Sequence, residues 1–147
     1  MRFSLPFVAI ASLLGLASAS PALEVRQEAL RFGVVTTSPA TIKPGQTFNI
    51  LYNSTRARWQ PLYLDIYLSG KYPNGFVLPD FQVLRLDYPA DAHFYDFNTT
   101  LPVISFDAND GYLADATYGI TVWMSYVTET GAISKGGIEH GLQIDLS

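Results

Sequence analysis

The sequence predicts an all-β domain, an antiparallel immunoglobulin-like sandwich of about seven to nine strands. Three observations carry that expectation. Apolar and polar residues alternate with period two in one segment after another, as in strands with one buried face. Gly, Pro, Asn and Asp separate these segments at intervals of roughly 8–12 residues. The segments are rich in aromatic and β-branched residues, which suit a pleated, half-buried surface. A chain of 147 residues with 48% hydrophobic content is long enough to bury one core, so residues 31–147 are read as a single domain. A closed barrel is the alternative.

Residues 1–19, MRFSLPFVAIASLLGLASA, are expected to be a signal peptide. Arg2 supplies the positive start, Phe7 to Leu16 the apolar run, and Ala17-Ser18-Ala19 the cleavage site. The run is too short for a membrane span, and no apolar tail closes the chain, so a secreted, extracellular protein is expected. Residues 20–30 lack strand alternation and read as a flexible junction, with Arg26 a candidate processing site and an uncleaved arm the alternative.

The strands follow in order. Residues 31–38 read as the first, with Phe32 and Val34 on one side. Pro39 and Pro44 each lack an amide donor and confine the next stretch to an edge or a turn. Pro44-Gly45 fits the centre of a type II turn: proline presets φ, and glycine accepts a positive φ. In 47–53, Phe48, Ile50 and Tyr52 face one way and Thr47, Asn49 and Asn53 the other. A polar loop, 54–60, precedes the clearest strand, where Leu62, Leu64, Ile66 and Leu68 alternate with Tyr63, Asp65, Tyr67 and Ser69. Residues 70–79 form a turn-rich excursion tipped by Pro73-Asn74-Gly75, and strands follow at 81–88 and 93–101. Residues 103–106 are a short strand or an extended link, and 107–116 a polar connection. In 117–128, Tyr118, Ile120, Val122, Met124 and Tyr126 share a face, and after a hairpin tip at 129–131 the alternation resumes from 138 to 146. Asp115-Ala116-Thr117-Tyr118 resembles the start of the penultimate immunoglobulin strand, where a tyrosine hydroxyl bonds back across the corner. Ile120 and Ile50 then stand where a disulfide-bonded domain has its cysteines. A plain core tyrosine is the other reading of Tyr118.

Composition excludes several chemistries. Without cysteine there is no disulfide, thiol nucleophile or zinc-thiolate site. A net charge of −4 with no basic cluster argues against nucleic acid. His93 and His140 share no ligand spacing, and residues 107–111, DANDG, miss the spacing of a calcium loop, so no metal and no cofactor is expected. No nucleophile elbow occurs. Asp65, Asp80, Asp87, Asp91, Asp96 and Asp107 are scattered, and each is read as part of a solvated face rather than as a paired glycosidase carboxylate. A non-enzyme is expected.

Recognition is the remaining role. The loop residues Arg56, Arg58 and Trp59, with Tyr63 and Tyr67 beside them on the face opposite the leucines, form a candidate contact surface, because Trp, Tyr and Arg dominate protein hot spots and aromatic rings also stack on sugars. A covering segment over those tyrosines is the bland alternative. Asn53-Ser54-Thr55 and Asn98-Thr99-Thr100 are N-glycosylation sequons, the latter on the polar face of its strand.

Residues 39–50, PATIKPGQTFNI, resemble the opening of the mature domain in fungal necrosis-inducing secreted proteins, which are small, cysteine-free effectors. A weaker similarity is to fungal cell-wall-associated immunoglobulin-like domains. The first resemblance implies a protein partner in a host, of the immune-receptor-associated kinase type, and no catalytic residue. The second implies a module that binds cell-wall polysaccharide. The excursion at 70–79 and the Arg-Trp loop depart from the effector pattern.

Overall fold

The computed structural model describes residues 31–104 and 112–147. The expected leader and junction, and the stretch with Asp107, lie outside the described residues. Eight strands are described: β1 (Val34–Ser38), β2 (Thr41–Ile42), β3 (Thr47–Asn53), β4 (Pro61–Lys71), β5 (Phe81–Asp87), β6 (Phe94–Thr100), β7 (Thr117–Val127) and β8 (Ile133–Ile144). They form a three-stranded sheet, β1-β3-β6, and a five-stranded sheet, β2-β8-β7-β4-β5. That order is the immunoglobulin-like arrangement of two sheets sharing one core. All pairings are antiparallel except the two-residue contact of Thr41–Ile42 with Gln143–Ile144. No described helix is long and apolar enough to cross a membrane.

The core follows the alternation. Phe48, Ile50 and Tyr52 from β3 meet Leu64, Ile66 and Leu68 from β4 and Ile120, Val122 and Met124 from β7, all buried. Ile50 and Ile120 are fully enclosed, so aliphatic packing fills the positions a disulfide would take. The Tyr118 hydroxyl accepts the Leu113 amide at 2.6 Å, five residues upstream, which makes it the corner tyrosine and not merely a core ring.

Two expected faces are reversed by local irregularities. Gly33 takes φ +97, a conformation that breaks the strand period before β1. Val35 therefore points into the core and Val34 outward, while Phe32 turns back over the sandwich end. Leu62 is 41% exposed rather than aligned with the other leucines. The register of β4 on β7 slips between Pro61 and Tyr63, so Leu62 is the extra residue of a β-bulge. Residues 103–104 belong to no strand.

The turn before β3 has the expected geometry. Gln46 N–H donates to Lys43 O at 2.9 Å, and Gly45 has φ +80. Gly45 N–H also donates to Leu101 O at 2.8 Å, which ties the turn to the end of β6. A Cβ at residue 45 would meet only the Val103 side chain at 3.5 Å, an ordinary contact. The demand for glycine here is conformational. Gly45→Val is therefore expected to destabilise the domain by about 1–3 kcal/mol, the usual cost of a non-glycine residue held at positive φ. Pro44→Ala should cost less, through the entropy of the unfolded chain. Urea denaturation of both variants checks the order, and an unchanged midpoint for Gly45→Val would contradict the turn described.

Candidate contact face

The expected surface divides into two places. Trp59 does not lie beside Tyr63 and Tyr67. Its ring stacks on Tyr126 at 4.4 Å with an interplanar angle of 13°, and Phe32 packs 6.4 Å away. Tyr126 belongs to the core, so Trp59 closes the end of the sandwich instead of offering a free ring. Arg58 lies over that indole at 4.7 Å and pairs with Glu129 at 2.8 Å, joining the β3–β4 loop to the β7–β8 hairpin. Both partners of this ion pair are largely exposed, so it adds about 1 kcal/mol or less. Arg56 is exposed at the same end.

Tyr63 and Tyr67 do point away from the core, onto the outer face of the five-stranded sheet. Between them stands Asp65, which is only 1% exposed. This corrects its expected place among solvated carboxylates. Arg85, directly opposite on β5, approaches Asp65 to 3.5 Å. Lys135 reaches it from β8 across β7, at 3.2 Å. The crossing is open because the intervening β7 position is Ser125, a small buried residue paired with both Tyr63 and Lys135. Gln82 donates to the same carboxylate at 3.3 Å. The Arg85 guanidinium also covers the Tyr63 ring at 4.1 Å.

Trp123, opposite Asp65 on β7, completes this cluster. Its cross-strand partner on β8 is Gly137, where a Cβ would meet the indole at 3.2 Å. The neighbouring Gly136 serves the other face, since a Cβ there would collide with the Phe32 ring. The Gly-Gly pair thus lets one aromatic side chain lie close on each face of β8. Beside Trp123 a groove of about 410 Å³ runs toward His140, with Lys71, Asp80 and Glu139 on its walls. Desolvation lowers the His140 pKa, and its Nε2 lies 3.2 Å from Thr37 Oγ1 on β1.

The excursion after β4 is a β-hairpin extension, with Tyr72 N–H donating to Phe76 O at 2.9 Å. Tyr72 and Phe76 stack on each other at 5.8 Å, and Phe76 is 58% exposed. They line an open cavity of about 760 Å³ with Leu78, Leu113, Asn74 and Asp115. No group of three or more His, Cys, Asp or Glu side chains among the described residues has the geometry to hold a metal.

Sequence reasoning missed Asp65, Arg85, Lys135 and Trp123 as a cluster. β8 begins at Ile133, five residues before the expected start at 138, so Gly136-Gly137 fall inside the strand, where a glycine pair marks a close approach.

No protein-family model matches the chain, and neither does any curated protein. Among solved structures it resembles Spo0M, a sporulation control protein from Bacillus subtilis, with 12% identity and a TM-score of 0.47. The alignment covers 78% of this chain and 49% of that one, so this chain spans about half the length of that neighbour.

Asp65 depends on its two cations jointly. Arg85→Ala or Lys135→Ala alone is expected to cost about 1 kcal/mol, because the other cation remains and both are half exposed. The double variant should cost about 3 kcal/mol or more, since it leaves a buried carboxylate unpaired. In an Asp65→Asn background the same pair should cost far less. A double-mutant cycle by chemical denaturation measures the coupling.

Proposed function

We propose that this chain is a secreted, non-enzymatic interaction protein that meets a protein partner with the outer face of its five-stranded sheet. The observation that carries this reading is the Asp65 cluster. A carboxylate on an outward sheet face is normally left to water, because desolvating it is costly. Here it anchors Arg85 on one side and Lys135 on the other, with the Tyr63 ring under the guanidinium and Trp123 opposite the carboxylate. Side chains ordered before contact lose less freedom on binding. Trp, Tyr and Arg are the residues that concentrate binding energy at protein interfaces. Arg85 and Lys135 flank the carboxylate, and Asp87 and Glu139 stand on the same face, so it presents both signs of charge and suits a partner with a complementary pattern.

The resemblance of residues 39–50 to fungal necrosis-inducing secreted proteins supports a fungal effector whose partner is a host immune-signalling protein. The test is binding of the mature protein to immune-receptor-associated kinases of a plant host. Trp123→Ala should weaken binding about tenfold or more, and added salt should weaken it further. Arg56→Ala, at the sandwich end, should leave it unchanged. Binding that ignores Trp123 and salt but falls with Arg56→Ala would move the contact to the loops.

A second reading, a cell-wall polysaccharide module, is favoured by one feature, the cavity beside Tyr72 and Phe76. Exposed aromatic rings offer stacking for sugars, and Asn74 and Asp115 offer polar partners for hydroxyls. Retention on chitin, β-glucan or cellulose that disappears in Phe76→Ala would establish it. No retention on any of them leaves the protein-binding reading alone.

A further inference from the structure

We infer that Asn53 and Asn98 both carry N-linked glycans, and that the glycan at Asn53 lies across Phe94 and Val34 and stabilises the three-stranded sheet. The inference rests on the proposed secretion of the chain, which would bring it past the glycosylation machinery. The sequons alone would be weak, but three features of the fold sharpen them.

The first is placement. The outward positions of β3 are Thr47, Asn49, Leu51 and Asn53, and those of β6 are Phe94, Asp96, Asn98 and Thr100. Asn98 is paired with Asn49, and Asn53 with Phe94. Both sequon asparagines therefore share the outer face of the three-stranded sheet, four residues apart in register, about 14 Å at the usual strand rise. Neither is on the face that holds the Asp65 cluster.

The second is side-chain chemistry. The Asn53 Oδ1 accepts the Thr55 amide at 2.9 Å, and the Asn98 Oδ1 accepts from Asn49 Nδ2 at 3.3 Å. In both residues the carbonyl oxygen is engaged toward the protein, and Nδ2 is the atom left to carry a sugar. The transfer forms a C–N bond from Nδ2 to the anomeric carbon of a polyprenyl-diphosphate-linked oligosaccharide. It breaks that carbon's bond to the diphosphate oxygen and releases the lipid diphosphate and one amide proton.

The third is the apolar surface around Asn53. Val34 and Phe94 are the exposed large hydrophobic residues on this sheet, at 41% and 58%. They are also the two direct cross-strand partners of Asn53, one on β1 and one on β6. An aromatic ring and a valine left open on either side of a sequon match the C–H face of a pyranose, which packs on such rings. With half-buried Leu51, the other outward apolar residue of β3, they make an apolar strip around Asn53 on a face otherwise lined by polar residues.

The test uses the full chain with its own leader, made in a yeast secretory host. Mature protein in the medium should lose two glycans on N-glycosidase treatment, one absent in Thr55→Ala and one absent in Thr100→Ala. Thr55→Ala should also lower the melting temperature by several degrees in secreted protein, and should not do so in protein made in bacteria. Phe94→Ala should abolish that difference. Secreted protein of unmodified mass would overturn the inference and leave the secretion reading standing. Protein retained in the cytosol without glycans would overturn both. A Thr55→Ala effect that is the same with and without glycans would overturn the packing of sugar on Phe94.

Discussion

The outer face of the five-stranded sheet is organised by one buried charge. Asp65 is enclosed on a surface that water would otherwise cover, and a desolvated carboxylate is tolerable only beside opposite charge. Arg85 and Lys135 supply that charge from β5 and β8, strands that do not touch each other. The carboxylate on β4 thus spans four strands, with small Ser125 leaving the path across β7 open. Arg85 in turn covers Tyr63, and Trp123 lies on Gly137 beside them. The consequence is a face whose charged and aromatic groups are held in place by the monomer itself.

The two outer faces of the sandwich then differ in kind. One has aromatic rings and cations around a buried carboxylate. The other has threonines and asparagines, with a short apolar strip beside one sequon. The core between them is aliphatic at the centre and aromatic toward the end, where Phe32, Trp59 and Tyr126 close it. Tyr52 bridges these regions: its ring packs edge-on against Tyr88, and its hydroxyl donates to the Phe32 carbonyl. Burial pushes the Tyr52 hydroxyl pKa up, so it stays a neutral donor. Aromatic stacking at the end frees the sheet faces for other uses.

Much of the fold was legible because local chemistry was enough. Phe48, Ile50 and Tyr52 alternate strictly, and β3 follows. Pro44-Gly45 needs one positive φ, and the turn follows. Tyr118, two residues before Ile120, allowed either a corner tyrosine or a plain core ring, and the Leu113 amide decides for the corner. The misreadings occurred where one residue changed the count. Gly33 reversed Val34 and Val35, and the bulge at Leu62 took that leucine out of the core. The contact face was less legible for a different reason. Asp65 looks like any polar residue of an alternating strand, and its partners are 20 and 70 positions away. Their meeting depends on the register of four strands, which no local pattern encodes. Trp59 was misplaced for the same reason, since its partner Tyr126 lies on another strand.

The proposed contact on the five-stranded sheet, rather than the three-stranded one, is open to photo-crosslinking. A photoreactive residue replaces Tyr67 on the first face, or Thr36 on the second, in protein mixed with the proposed kinase partner. An adduct from position 67 and none from position 36 is expected. An adduct from position 36 alone would place the contact on the polar sheet and contradict it.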